Sequence, residues 1–133
     1  MTTQYKPLVK VARDLIKKRY CPDGHHSVVA CALETESGKV YSALNVGTYQ
    51  PSIATCAEII AIGMALKDDP KVAIKTIVSV RDKDGYVVSS CGKCREYIAD
   101  YGPKAIVLTP ADNADGYQPV SIQELLPCKY CKR

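Results

Sequence analysis

Two short runs of this chain hold residues whose types and spacing could do chemistry: Thr55-Cys56-Ala57-Glu58 and Ser90-Cys91-Gly92-Lys93-Cys94-Arg95. Each run opens a stretch of helical character, so both are predicted at helix N-termini. Such an end exposes unpaired N–H groups and a partial positive charge, which favours a thiolate over a thiol. Cys56, Cys91 and Cys94 could then supply three thiolates to one metal ion. Zinc suits that set, because three protein ligands and one open position make the catalytic arrangement, in which a water in the open place has its pKa lowered towards ~7. Glu58 follows Cys56 by two residues on the same first turn, close enough to reach that water without being a ligand, and is the natural acid/base. Blander readings stand beside these. Cys91 and Cys94 alone have the spacing of a structural zinc knuckle or a redox pair, and Glu58 alone is a carboxylate complementing a helix dipole.

The elements that must position these residues follow from periodicity. Residues 6–20 place Leu8, Val11, Ala12, Leu15 and Ile16 at helical spacing, and Cys21-Pro22-Asp23-Gly24 stops that helix. Residues 27–33 and 39–46 read as an opening hairpin about Glu36-Ser37-Gly38. Residues 55–67 form a helix too apolar for a surface position, predicted to be buried on most sides. A β-branched strand over 73–80, a helix over 92–101, a strand over 104–109 and a brief helix over 121–126 complete the order αββαβαβ. Strands separated by helices imply parallel crossovers, hence a mixed sheet with helices on both faces.

The chain is 133 residues long and 47% hydrophobic, enough for one core, so residues 1–133 are read as a single domain. Its excess of 18 basic over 14 acidic residues is small and scattered, apart from Lys17, Lys18 and Arg19. With Trp and Phe absent and nine Tyr dispersed, no basic stripe interleaved with aromatics points to nucleic acid. A small-molecule partner is expected instead. No stretch approaches the roughly 20 apolar residues of a membrane span, and the polar start lacks a signal peptide's apolar core, so a cytoplasmic location is expected. Seven cysteines in such a chain argue for metal binding or catalysis over a disulfide framework. His25 and His26 are read as loop residues, Cys21 as a loop residue and Cys31 as a small core residue. Cys128 and Cys131 repeat the C-x-x-C spacing without two further ligands nearby in sequence, so a second zinc site there is not expected.

The Thr-Cys-Ala-Glu run, followed some thirty residues later by Cys-Gly-Lys-Cys-Arg, resembles the signature of the cytidine deaminase superfamily in its all-cysteine form. The resemblance runs from about Tyr20 to Tyr130 and includes the closing Glu124-Leu125-Leu126-Pro127. It implies a three-layer α/β/α fold with a mixed five-stranded sheet. It also implies zinc on Cys56, Cys91 and Cys94, with Glu58 passing protons to the ring nitrogen and the departing amine as ammonia leaves. Substrate contacts by Ser27, Asn45, Ala57, Ser90 and Tyr130 are implied as well. So is a homotetramer in which neighbouring subunits complete each active site.

Two departures bear on the substrate. Family members acting on ribonucleosides hold the sugar with an Asn and a Glu, whereas this chain keeps Asn45 and has Gly47 in place of the acid. A charge-assisted contact of that kind is worth on the order of 1.5–3 kcal/mol, or roughly 10- to 150-fold in affinity. At Ser27, no aromatic ring stands where one usually packs on the base. Both features are similar to the blasticidin S deaminase branch, as are Ser27 to Leu33, the aliphatic Ile59 and the ending Gln123 to Tyr130. Three thiolates on Zn²⁺ leave a formal charge of −1, which Arg95 is placed to offset. The expected activity is release of ammonia from a cytosine-type nucleoside or related aminated heterocycle. A nucleic-acid-editing deaminase and a zinc-stabilised binding protein without turnover are the alternatives.

Overall fold

A computed structural model of the chain describes residues 3–18 and 28–131. Helix α1 spans Lys6–Lys17 after a short 3-10 turn at Thr3–Tyr5; Pro7 stands in its first turn, where a missing N–H costs nothing, and Lys17 lies in its last. Its buried stripe is Leu8, Val9, Ala12 and Ile16, at the spacing that keeps one helical face apolar. The stop expected at Cys21 to Gly24 lies outside the described residues.

Strands β1 (Val29–Thr35) and β2 (Val40–Leu44) form the expected antiparallel hairpin, with Gly38 taking a φ of 88° in its turn. Helix α2 (Ala57–Asp68) then leads to β3 (Ile74–Arg81), which pairs with the other edge of β1. A short strand β4 (Tyr86–Val88) folds back on the second half of β3. Helix α3 (Gly92–Tyr101) crosses over to β5 (Ile106–Pro110), parallel to the first half of β3. Strand β6 (Tyr117–Ser121) and helix α4 (Ile122–Leu125) follow.

The sheet is mixed, with order β2-β1-β3-β5-β6 and β4 attached to β3 beside β5. The five strands of the main path match the expected number, and β4 is a sixth. Residues of β1 alternate between two cores, as the two-residue period of a strand requires. Ala30 and Ala32 pack with α1, Val78, Val80 and Leu108 on one face. Cys31 and Leu33 pack with Ala57, Ala61 and Ala65 of α2, Ile98 of α3 and Ile122 of α4 on the other. The result is three layers, with α1 alone below the sheet and α2, α3 and α4 above it.

Burial of α2 is narrower than its composition suggests. Ala57, Glu58, Ala61, Ile62 and Ala65 are buried, but Gly63 and Met64 on the far side are exposed. The sheet covers one face of the helix, and among the described residues nothing buries Gly63 and Met64 on the opposite face.

Candidate metal centre and active site

The sheet brings the N-termini of α2 and α3 side by side. Cys56 is the residue before the first turn of α2 and Cys91 the residue before the first turn of α3, both with extended backbone. At these positions both sulfurs face the exposed N–H groups of a helix end. Cys94 lies one helical turn after Cys91 and is buried. The Sγ atoms of all three lie within 4.8 Å of one another, and no other His, Cys, Asp or Glu cluster of this kind exists among the described residues. A tetrahedral zinc with bonds of about 2.3 Å needs sulfurs roughly 3.8 Å apart, which this cluster can provide with little movement.

The electrostatics of the cluster call for a cation. Burial, the Glu58 charge and the two neighbouring thiols push the Cys94 thiol far above its ordinary range. Burial also raises Cys56, and the charges of Cys91 and Glu58 add to it. At Cys91 burial acts upward too, but the Cys94 backbone amide and the adjacent thiols outweigh it and hold the group low. Three thiols beside a carboxylate cannot all ionise without a counter-charge, and a dication supplies one.

Local structure fixes these positions. Val46 and Thr55 exchange backbone hydrogen bonds of 2.9 Å each way, pinning the loop that delivers Cys56 to α2. The segment ahead of Cys91 is set by β4, whose turn from β3 passes through Asp82 (φ 61°) and Gly85 (φ 67°). Arg95 donates from Nε to the Ser90 carbonyl at 2.9 Å and from Nη1 to the Leu125 carbonyl at 3.1 Å. It therefore ties the entrance of α3 to α4.

Glu58, only 4% exposed, lies on the first turn of α2 and lines a cavity of about 240 Å³ with Asn45, Cys56, Ala57 and Cys91. The remaining wall is Val29, Ala54, Thr55, Ser79, Val88 and Ser89. That volume is at or below the small end of ligand sites, roughly 300–1,000 Å³, so it suits a single heterocycle. Asn45 accepts a 2.9 Å hydrogen bond from the Val29 N–H through Oδ1, and its own backbone N–H donates to the Val29 carbonyl. It thus anchors the start of β1 at the cavity rim.

Of the residues expected at the site, Asn45, Cys56, Ala57, Glu58 and Cys91 share the cavity, and Cys94 completes the sulfur cluster behind it. Ser90 is buried beside the cavity with its carbonyl held by Arg95, while Ser89 is the serine in the wall. Tyr130 is 79% exposed, on a tail that Lys129 fastens to α3 through Asp100 (2.8 Å) and Glu96 (3.2 Å). Cys128 and Cys131 are exposed on the same tail. Ser27, His25, His26 and Cys21 lie outside the described residues. Sequence reasoning missed Val29, Ser79 and Val88, which reach the cavity through strand register, and Ser89, which follows β4. The Asp82-Lys83-Asp84-Gly85 turn before the alternating Tyr86-Val87-Val88 was the available signal.

A mixed sheet with two helix N-termini converging on three cysteine sulfurs and a buried glutamate is the arrangement of a metal-dependent hydrolase of the deaminase type. Residues 2–109 match the family model for the cytidine and deoxycytidylate deaminase zinc-binding region, and the chain belongs to that family. It is 38% identical to the blasticidin-S deaminase of Bacillus cereus, over 94% of this chain and 91% of that protein. It is 33% identical to the cytidine deaminase of Sporosarcina psychrophila, over 78% and 75% of the two chains. The crystal structure of cytidine deaminase from Burkholderia pseudomallei superposes with a TM-score of 0.76 at 28% identity, covering 98% of this chain and all of that one. The family, these relatives and the cysteine cluster make this chain a zinc-dependent deaminase. Among the described residues no helix is long and apolar enough to cross a membrane.

Proposed function

We propose that this chain is an aminohydrolase that exchanges the exocyclic amine of a cytosine-type ring for a carbonyl oxygen, consuming water and releasing ammonia. The observation that carries the reading is Glu58 in the wall of the cavity that Cys56 and Cys91 also line. Cys56, Cys91 and Cys94 would hold zinc, which when bound would supply a water activated at neutral pH. The Glu58 carboxylate accepts a proton from the attacking water and passes it to the ring nitrogen. It takes the second proton in turn and delivers it to the departing amine. Val29, Ala54 and Val88 give the ring an apolar seat that excludes bulk water.

The substrate belongs with the blasticidin S branch more than with plain ribonucleosides. Support comes from the 38% relative and from Gly47, which leaves the loop after Asn45 without a carboxylate for a sugar hydroxyl. Asn45 and Ala57 contact the substrate at the rim and floor, and Ser27, Ser90 and Tyr130 belong to the same proposed set. Arg95 offsets the charge of the three thiolates through the α3 entrance it holds. The reading includes a cytoplasmic location and a homotetramer; exposed Val46, Tyr49 and Ile53 in the loop before α2, and Met64 on α2, support the assembly.

The test is ammonia release by zinc-loaded protein from blasticidin S, cytidine, deoxycytidine, cytosine and adenosine. Turnover of blasticidin S at least tenfold above cytidine is the expected result. Equal or faster turnover of cytidine would contradict the branch assignment, and silence on the whole panel would contradict deamination of this ring class.

A further inference from the structure

Ser79 is a buried polar residue that the chemistry above leaves unused. In the sheet it stands between Cys31 of β1 and Val88 of β4. It lines the cavity that Glu58 lines, it is 1% exposed, and its Oγ has no hydrogen-bond partner. The Cys31 thiol is its cross-strand neighbour, near enough for the hydroxyl to favour ionisation slightly, but burial and the Glu58 charge hold that thiol neutral. No hydrogen bond of proper geometry joins the two.

Three strand residues face this cavity, and Ser79 is the polar one between Val29 and Val88. Packing does not call for a hydroxyl there, since a methyl would fill the space without stranding a donor and acceptor. A residue that breaks the local rule with no compensation inside the fold is the kind that function retains. The hydroxyl's missing partner therefore belongs to the bound state.

Building on the deaminase reading, we propose that Ser79 is a specificity-determining residue whose hydroxyl hydrogen-bonds the edge of the heterocycle seated against the sheet. The ligand class is an aminated ring carrying a ring nitrogen, oxo or amino group on that edge. In the free chain Oγ is covered, so the contact calls for a χ1 step between staggered rotamers that brings it to the ring. Serine both donates and accepts, so it serves any of these groups. A site built to hydrogen-bond a substrate group discriminates far more strongly against an analogue lacking it than an apolar wall does against an extra methyl.

The test compares wild type with Ser79→Ala on the same panel, extended to ring analogues that lack one edge heteroatom at a time. Zinc content and melting temperature are measured alongside. The expected result is a fall of about tenfold or more in kcat/KM on the best substrate, little change on the analogue missing the contacted group, full zinc content, and a melting temperature at or above wild type. An unchanged substrate ranking, a uniform loss on every substrate, or a clearly lower melting temperature would each overturn the proposal, the last two by assigning the hydroxyl to the fold. A zinc-loaded wild type that deaminates nothing would instead overturn the deaminase reading and this inference with it.

Discussion

Cys31 illustrates how a single buried group ties the core to pH. It is fully buried, and burial together with the Glu58 charge raises its thiol well above the ordinary value of 9.0. A group whose pKa is raised by folding contributes stability that is present below its unfolded pKa and lost as pH rises beyond it. The chain should therefore lose stability progressively above about pH 9, and Cys31→Ala should flatten that loss in denaturant titrations. In the folded state the same thiol should resist alkylation while exposed Cys128 and Cys131 react. The chemistry-bearing residues were legible because they are local: Cys91 and Cys94 are one turn apart, and Glu58 shares a turn with Cys56. Ser79, Val88 and Ser89 were not, since a strand residue's neighbours depend on pairing that no local spacing encodes. Ser90 lies buried next to Ser89, the serine that lines the cavity.

Among the elements, the turn into β4 has the most demanding geometry. Gly85 has a φ of 67°, and a Cβ there would stand 2.6 Å from Arg13 Cγ, while Arg13 Nε donates to the Gly85 carbonyl at 3.0 Å. Gly85→Ala should cost about 1–3 kcal/mol, measured by chemical denaturation, and should weaken zinc retention because β4 positions the segment before Cys91. A variant as stable as wild type would show that the turn relaxes freely. The helices and strands β1, β2, β3 and β5 were readable from their periodicity. Strand β4 was not, because three residues carry too little alternation. Strand β6 escaped because Gln118-Pro119 reads as a loop, and a proline is tolerated there only because β6 is an edge strand. The apolar composition of α2 predicted burial on most sides, whereas within the chain its far face ends exposed at Met64.

For the whole molecule, Val46, Tyr49, Ile53 and Met64 are large apolar side chains left exposed in the loop before α2 and on α2 itself. In the proposed tetramer these residues would pack against neighbouring subunits. Size-exclusion chromatography with light scattering should give about four chain masses, and Met64→Lys should shift the distribution towards smaller species. A wild-type peak at one chain mass would contradict the assembly. The exposed Tyr130 would gain cover in the same assembly, and its truncation to Ala should then lower activity more than stability.

The most direct test of the account is ammonia release measured side by side for zinc-loaded wild type and Glu58→Ala, with bound zinc quantified in both. The account predicts about one zinc per chain in each, with turnover in the variant lower by at least ~10²–10⁴-fold, as removal of the acid/base requires. Near wild-type ammonia release from the zinc-replete variant would contradict it.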